Sequence, residues 1–429
     1  MTSRVATAGR AGASGSWAVP DGHPFGLHAL PYGSFALSGG GGRGATGSGD
    51  PRVGVAVGDR VLDLSTVACR LLPKRAALFA DGTLDGLLRH GPDVWAEVRA
   101  ALTTWLAEPA YRRIVEPALV PAGDVVHRLP FTVADYVDFY ASEHHAANLG
   151  RILRPGTEPL TPNWHSMPLG YHGRAGSAVV SGTPVTRPSG QFRDGDRVVF
   201  GPTRRLDVEA EVGFVVGTPS VRGRPVPVAE AAAHVFGVCL VNDWSARDVQ
   251  AWEYVPLGPF LGKAFATSVS PWVVPLAALG AARVAPPARP VGVARPLPYL
   301  DAAAAGPWGL DLRLELRVNG HPVSRPPFAT TAWTFPQLVA HLTSGGAALR
   351  TGDLLASGTV SGARPGEAGS LIELTLGGAQ PLVLPDGTTR GFLEDGDEVT
   401  ISATAPGPGG TLVGLGEVRG RVVPSALPG

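Results

Sequence analysis

The sequence predicts a mostly β protein of the α+β class, with a small mixed domain followed by a large antiparallel or mixed β domain. Apolar and polar residues alternate with a period of two in several segments, and residues 206–212 and 310–318 are the clearest examples. The 429 residues include 58 glycines and 41 prolines, a composition typical of short strands separated by many turns. Helical patterns are few, which disfavours a doubly wound parallel sheet.

Three segments are expected along the chain. Residues 1–16 contain two arginines, small residues and no acidic residue, and we interpret them as a disordered tail. A transit peptide has a similar composition and is the alternative. Residues 17–129 form the predicted N-terminal domain, and residues 130–429 form the predicted larger domain.

A tight hairpin is expected near the start of the N-terminal domain. Two apolar-rich runs, residues 52–57 and 60–64, flank Gly58-Asp59, which is a strong turn signal. The preceding glycine-rich segment, residues 38–50, contains a formal GxGxxG pattern, but no βαβ unit surrounds it. We therefore interpret that segment as a loop and not as a dinucleotide-binding site.

Further elements follow from local patterns. Pro92 can begin a helix, because an apolar stripe with helical spacing follows it. That stripe consists of Trp95, Val98, Leu102 and Trp105. Residues 227–236 and 336–342 predict short helices, whereas residues 371–376 and 398–402 predict strands.

Composition excludes several classes of function. The 36 basic and 36 acidic side chains balance, so nothing predicts nucleic acid or an anionic membrane as a partner. Cys69 and Cys239 are the only cysteines, which argues against a disulfide framework or a cysteine metal site. No apolar run approaches the ~18 residues of a membrane span, and no secretory signal core is present, so we expect a cytoplasmic protein.

Residues 239–265 form the stretch richest in candidate site residues. An apolar run predicts a buried strand that ends at Asp243, and a helical turn that follows brings Arg247 and Gln250 towards one face. A loop rich in glycine and proline then ends at Lys263. One interpretation is a purely structural ion pair between Asp243 and Arg247. A lone lysine between apolar neighbours favours the alternative, a functional polar set.

Four carboxylates are candidate metal ligands. Glu209 and Glu211 are two residues apart in a predicted strand, so both side chains point to the same face and repel each other unless a cation or solvent separates them. Asp243 ends another strand, and Asp138 lies in an aromatic-rich segment. Oxygen ligands of this kind suit a hard divalent cation such as Ca²⁺ or Mg²⁺. Solvent exposure of the pair is the alternative.

A histidine pair closely follows Asp138. His144 and His145 are adjacent, and the residues alone do not say which of them matters. Glu373 is the only charge in a predicted apolar strand, so it either faces solvent or orients a histidine.

Several long strings carry a resemblance to a known family. They are DFYASEHHA from Asp138, PNWHSMPLGYHGRAGSAVVSGTPVTRPSGQ from Pro162, LDVEAEVGFVVG from Leu206, VNDWSARDVQAWEYVPLGPFLGKAF from Val241, LLASGTVSG from Leu354, FLEDGDEVTI from Phe392 and, near the start, SWAVPDGHPFGLHALPYG from Ser16. Through them the chain resembles the fumarylacetoacetase family over nearly its whole length. The glycine-rich segment before Arg52 and the Ala/Pro-rich residues 277–307 depart from the family pattern.

The resemblance implies a fold, an activity and an assembly. The fold is a small SH3-like N-terminal domain followed by a mixed β-roll, in a homodimer. The activity is hydrolysis of the carbon–carbon bond of 4-fumarylacetoacetate to fumarate and acetoacetate, in tyrosine and phenylalanine breakdown. The alternative on the same fold is a hydrolase, decarboxylase or hydratase of another 2-oxo acid or 1,3-dicarbonyl. A non-catalytic metal-binding scaffold is disfavoured, because it has no need of a histidine base.

The resemblance also implies roles for individual residues. Calcium would be held by Asp138, Glu209, Glu211 and Asp243. Magnesium would be held by Asp243, the backbone of Lys263 and the hydroxyl of Thr267. Substrate would be bound by Tyr140, Arg154, Gln250, Tyr254, Thr359 and, less directly, Tyr171. The base would be His145, oriented by Glu373, with Arg247, Gln250 and Lys263 as donors to developing negative charge.

Overall fold

The computed structural model describes residues 16–20, 22–38 and 49–427. The interpretations of residues 1–16 as a tail and of residues 38–50 as a loop fall almost entirely outside these ranges. Within the described ranges, no helix combines the length and the apolar character needed to cross a membrane.

Among its described residues, the N-terminal part of the chain combines a small set of strands with four α-helices. Its strands are β1 (Tyr32–Leu37), β2 (Arg52–Val57), β3 (Arg60–Asp63), β4 (Leu119–Pro121) and β5 (Val125–Arg128). Its helices are α1 (Leu64–Leu71), α2 (Asp85–Leu88), α3 (Pro92–Ala107) and α4 (Arg112–Val115). The predicted hairpin is confirmed, because β2 and β3 pair antiparallel around Gly58, which adopts a φ of 62°.

The remainder of the chain is dominated by strands. They are β6 (Tyr136–Phe139), β7 (Gly170–His172), β8 (Ala178–Val180), β9 (Val185–Thr186), β10 (Ser189–Asp194), β11 (Arg197–Pro202), β12 (Leu206–Asp207), β13 (Ala210–Val216), β14 (Val235–Asp243), β15 (Ser245–Ala246), β16 (Thr267–Val269), β17 (Trp272–Pro275), β18 (Arg283–Val284), β19 (Gly309–Leu310), β20 (Arg313–Val318), β21 (His321–Ser324), β22 (Leu354–Ala356), β23 (Leu382–Val383), β24 (Thr389–Arg390), β25 (Glu398–Pro406) and β26 (Leu412–Val423). The helices are α5 (Glu143–Leu153), α6 (Arg247–Glu253), α7 (Phe335–Thr343) and α8 (Leu371–Leu374).

A thirteen-stranded sheet runs through both parts of the chain. Its main path is β4-β3-β2-β1-β17-β14-β13-β22-β6-β7, so the N-terminal strands join the rest through the β1–β17 pair. Most neighbours are antiparallel, whereas β22–β6 and β16–β8 are parallel. A second, five-stranded sheet has the order β21-β20-β25-β26-β9. The predicted mixed, strand-rich fold is confirmed; the SH3-like character of the N-terminal part stays a prediction.

Strand β14 is shared by two hydrophobic cores. Val238 and Leu240 belong to the larger core, whereas Cys239 and Val241 belong to the core that contains the N-terminal strands. Successive residues of a strand point to opposite faces, so one buried strand supplies both cores. All nine residues of β14 are buried, including the terminal Asp243.

The helix predictions have mixed outcomes. Helix α3 confirms the helix expected from Pro92, and its stripe is largely buried. Helix α7 confirms the helix expected over residues 336–342. Over residues 227–236 only a 3₁₀ segment, Val228–Ala233, is helical, because the chain enters β14 at Val235.

The strand predicted over residues 371–376 is wrong. Residues Leu371–Leu374 form α8, with the Leu374 and Thr375 amides bonded to the carbonyls of Ser370 and Leu371. Leu371 and Ile372 are adjacent and both buried, and their backbone amides donate to the carboxylate of Asp207 at the start of this helix. A short apolar run does not distinguish a buried strand from a buried helical turn.

The alternating run at residues 206–212 is divided into two strands. Strand β12 pairs with β15, and β13 starts only at Ala210, where it pairs with β14. Glu209 lies between the two strands.

We expect Leu240→Ala to destabilise the protein by about 2–5 kcal/mol, because it removes a fully buried side chain from the larger core. The matched control is Leu412→Ala, the same change at a position that is 43% exposed, where an effect within about 0.5 kcal/mol is expected. Chemical denaturation of the variants measures both values. Equal midpoints for the two variants would contradict the assignment of Leu240 to the core.

Candidate active site and acidic cluster

Three strands of the large sheet bring four carboxylates together. Asp138 lies on β6, Glu211 on β13 and Asp243 at the end of β14, while Glu209 immediately precedes β13. Strand β22 lies between β6 and β13 and aligns their registers. Each of the four residues offers an oxygen within 4.8 Å of those of the others, and all four are buried. The period-two prediction that Glu209 and Glu211 share a face is thereby confirmed, and their exposure to solvent is excluded.

Two cationic side chains contact this cluster. Lys263 is buried, with its Nζ against Glu209 and 2.5 Å from Asp243 Oδ2. The Nη2 of Arg247 lies 2.7 Å from Glu209 Oε1, but the same guanidinium also pairs with Asp207 at 2.8 Å. Glu209 therefore contacts both cationic side chains, whereas Asp243 contacts only Lys263 of the two.

The pKa values follow this uneven distribution. Burial and the neighbouring carboxylates raise the pKa of Asp138 and Glu211 well above the usual range. Burial also acts to raise the pKa of Glu209, but the charges of Lys263 and Arg247 outweigh it and lower that pKa. Asp138 Oδ1 and both Glu211 oxygens accept no hydrogen bond from the part of the chain that the structure describes.

This donor set fits a divalent cation. Buried carboxylate oxygens without donors carry a large desolvation cost, which a hard cation would offset. The acidic cluster could therefore hold a metal ion. Thr267 is aligned with Asp243 in the β14–β16 register, and their side-chain oxygens lie 3.3 Å apart. Tyr171 donates to Asp243 Oδ2 at 3.0 Å.

His145 lies beside the cluster on α5. Ser142 caps this helix, its Oγ accepting from the His145 amide at 3.4 Å. Nδ1 of His145 lies 2.7 Å from Glu373 Oε2, and Nε2 lies 3.6 Å from Glu209 Oε1. The structure therefore distinguishes the adjacent histidines, because His145 is buried in this network whereas His144 is half-buried.

Glu373 is held by three further donors. Its Oε2 accepts from Ser370 Oγ at 2.7 Å and Ser361 Oγ at 3.0 Å, and its Oε1 accepts from Asn148 Nδ2 at 2.9 Å. Burial acts to raise the pKa of Glu373, but His145 and these donors outweigh it and lower the pKa. Solvent exposure of Glu373 is excluded. Sequence reasoning missed the three donors; only Asn148 carried a signal, one helical turn after His145.

The proposed structural pair between Asp243 and Arg247 is wrong. The Nε of Arg247 donates to Asp207 Oδ2 at 2.8 Å, and Lys263 pairs with Asp243 instead. Asp207 was missed, although the alternating run places it on the same face as Glu209.

A cavity of about 380 Å³ adjoins these groups. The polar lining includes Asp138, His145, Glu209, Arg247 and Lys263. The side chains expected to contact substrate also line it, namely Tyr140, Arg154, Tyr171, Gln250, Tyr254 and Thr359. Apolar walls come from Leu149, Leu153, Leu169 and Leu257, which sequence reasoning did not single out. Glu211, Asp243, Thr267 and Glu373 are not among the lining residues.

Close packing fixes the loop that carries Lys263. A Cβ at Gly262 would lie 2.8 Å from the amide nitrogen of Gln250 on α6, so only glycine fits this approach. Glu253 at the end of α6 accepts from the Gly262 amide at 2.7 Å and from the Phe260 amide at 2.9 Å. Helix α6 and the lysine loop therefore form one unit at the cavity.

Comparison with known proteins identifies the family. The profile described as fumarylacetoacetase N-terminal matches residues 28–130, and the profile described as fumarylacetoacetate (FAA) hydrolase C-terminal matches residues 135–423. The chain is 42% identical to fumarylacetoacetase from Homo sapiens over 427 residues, covering 96% of this chain and 99% of that protein. It is 41% identical to fumarylacetoacetase from Arabidopsis thaliana over 422 residues, covering 94% and 96%.

Solved structures share the fold at low identity. A fumarylacetoacetate hydrolase from psychrophilic Exiguobacterium antarcticum aligns with a TM-score of 0.52 and 16% identity, covering 92% of this chain and 99% of that one. A maleylpyruvate hydrolase from Sphingobium sp. SYK-6 aligns with a TM-score of 0.51 and 16% identity, covering 92% and 100%. Taken with the matched profiles and the near full-length relatives, these similarities show that the chain belongs to the fumarylacetoacetase family.

Proposed function

We propose that the protein is a hydrolase that cleaves the carbon–carbon bond of 4-fumarylacetoacetate to give fumarate and acetoacetate. The observation that carries this proposal is the buried His145–Glu373 pair, which adjoins the acidic cluster in one cavity. Curated relatives named fumarylacetoacetase, 41–42% identical over nearly the whole chain, support the choice of substrate.

His145 is the proposed general base. In the proposed tautomer, Nδ1 of His145 carries the proton and donates a hydrogen bond to Glu373, and Nε2, which lies 3.6 Å from Glu209 Oε1, takes a proton from water. The resulting hydroxide attacks a substrate carbonyl carbon, and Glu373 stabilises the imidazolium that forms. As the carbon–carbon bond breaks, its electron pair leaves with the acetoacetate fragment, which then takes up the proton.

Three donors are proposed to stabilise the negative charge that develops. Arg247 and Lys263 present fixed positive charges to the cavity. Gln250 accepts from Arg247 Nη1 through its Oε1 at 3.0 Å, which leaves its amide hydrogens for the substrate.

The remaining cavity residues are proposed to bind substrate. The guanidinium of Arg154, anchored to the Pro159 carbonyl at 3.1 Å, would hold a substrate carboxylate. Thr359 Oγ1 is buried without a hydrogen-bond partner in the described ranges and would bond to a substrate oxygen. Tyr140 packs edge-on against the His145 ring at 5.4 Å. Tyr171 and Tyr254 complete the proposed contacts.

Metal binding is part of the proposal. Asp138, Glu209, Glu211 and Asp243 would hold Ca²⁺, and Asp243, the Lys263 backbone and Thr267 would hold Mg²⁺. A bound divalent cation would polarise the dicarbonyl and offset the charge of the leaving enolate. The unpartnered oxygens of Asp138 and Glu211 support such a site.

The proposed homodimer and SH3-like domain rest on the family resemblance, whereas the proposed location and domain boundary rest on sequence features. We propose a cytoplasmic homodimer with a domain boundary between residues 129 and 130 and an SH3-like first domain. Light scattering of the purified protein measures the oligomeric state.

We expect the purified protein to remove the ultraviolet absorbance of fumarylacetoacetate and to release fumarate and acetoacetate in equal amounts. Pre-treatment of the protein with a chelator should abolish this decrease in absorbance, and added divalent cation should restore the activity. A folded, metal-loaded protein that leaves the absorbance unchanged would refute the proposed function.

We expect Glu211→Gln to weaken divalent-cation binding by about tenfold or more, since a ligand charge is lost. The metal-free variant should melt at the same or a higher temperature than the metal-free parent, because one buried repulsion is removed. Calorimetry and thermal melts with and without Ca²⁺ measure both effects. Glu417→Gln, at an exposed position on β26, is the control and should retain the affinity. Unchanged affinity in Glu211→Gln would exclude it as a ligand.

We expect His145→Ala to reduce turnover by about 10²–10⁴, the usual contribution of a general base. Glu373→Gln should add little to this loss in the double variant, because a base and its orienting carboxylate act as a unit. Steady-state kinetics of the two single variants and the double variant measure the coupling.

His144→Ala is the matched control and should remain much more active than His145→Ala. If the His145 and Glu373 losses multiply, the two residues do not act as a unit. An inactive His144→Ala would show that His144, and not His145, is the base.

A further inference from the structure

We infer that Asp207 is a positioning residue that holds both Arg247 and the helix carrying Glu373 at the cavity. The inference rests on the proposed function, since it assigns those two residues their roles in catalysis.

Asp207 is fully buried, and both oxygens of its carboxylate act as hydrogen-bond acceptors. Oδ2 accepts from Arg247 Nε at 2.8 Å and from the Ile372 amide at 3.1 Å. Oδ1 accepts from the Leu371 amide and from the Val208 amide, both at 2.8 Å. Each oxygen thus receives two donors, and one carboxylate joins α6 to α8.

The contacts with α8 replace a missing cap. Ser370 precedes this helix, but its hydroxyl donates to Glu373 Oε2 and makes no capping bond to the helix. The first two amides of α8, those of Leu371 and Ile372, instead donate to Asp207. Ser370 is therefore free to orient Glu373 because Asp207 satisfies the amides.

The bond from Arg247 on α6 to Asp207 supports the Nε2 side of His145. Arg247 is held by Asp207 at Nε, so that its Nη2 faces Glu209 and its Nη1 reaches Gln250. Glu209 lies 3.6 Å from Nε2 of His145, and Glu373 lies 2.7 Å from Nδ1. Asp207 thus supports the groups at both nitrogens of the ring, although it does not itself line the cavity.

The test is Asp207→Asn. Because donors occupy both carboxylate oxygens, the new amide NH₂ must face a donor in either orientation. We expect kcat to fall by about 10–100-fold, the usual cost of losing a supporting partner, with a much smaller change in KM. In ¹⁵N-histidine-labelled protein, the ring nitrogen shifts of His145, identified by their absence in His145→Ala, should move towards a mixture of tautomers.

Asp397→Asn is the matched control. Asp397 is also buried, and it accepts from Arg390 Nε at 2.8 Å and from the Glu394 amide at 2.8 Å, outside the cavity. This variant should lose stability but keep kcat and the His145 shifts. Asp207→Glu, which keeps the charge and displaces it by one methylene, should show the same loss of turnover and serves if Asp207→Asn does not fold.

The outcomes separate this inference from the proposed function. If the parent protein does not cleave fumarylacetoacetate, the proposed function fails, and the His145 shifts still decide the role of Asp207. If Asp207→Asn matches Asp397→Asn in kcat and in the shifts, the inference is overturned. A loss of turnover with unchanged shifts would overturn the claim that Asp207 acts through Glu373.

Discussion

The burial of excess negative charge is the constraint on which the rest of the site depends. Four buried carboxylates meet on or beside strands β6, β13 and β14 of one sheet, and Lys263 and Arg247 neutralise them only in part. Desolvation of so many like charges is costly unless a cation or protons compensate. The raised pKa values of Asp138 and Glu211 express that cost, and the rigid sheet keeps the carboxylates from separating.

Hydrophobic packing offsets the desolvation cost of the carboxylates, because the strands that carry them also form the hydrophobic cores. Strand β14 supplies alternate residues to two hydrophobic clusters and ends in Asp243, so the apolar packing of Leu240 and Val241 fixes the position of the carboxylate. Strand β13 likewise fixes the position of Glu211, because Val212 on the opposite face of the strand packs in the larger core. Stability and site geometry therefore depend on the same residues.

A second layer of polar contacts fixes the base. His145 lies between two carboxylates, Glu373 at Nδ1 and Glu209 near Nε2, and each is bound by separate donors. Serine and asparagine side chains hold Glu373, whereas Arg247 and Lys263 hold Glu209. Asp207 connects the two sets, although its own side chain does not line the cavity.

Local sequence patterns were enough to predict the strand-rich fold, the hairpin around Gly58, helix α3 and the shared face of Glu209 and Glu211, because each depends on periodicity or turn chemistry. Through the family resemblance, the long matching strings also predicted several residues that line the cavity, among them Tyr140, His145 and Arg154. The folded chain was needed to show that residues 371–374 are helical, that Arg247 pairs with Asp207 and not Asp243, and that Glu373 is bound by Ser361. The Asp207–Arg247 contact joins residues 40 positions apart, the Asp207–Leu371 contact joins residues 164 positions apart, and Ser361 and Glu373 are 12 positions apart. Local patterns carry no information on such contacts, because a buried carboxylate takes whichever donors the fold brings within reach.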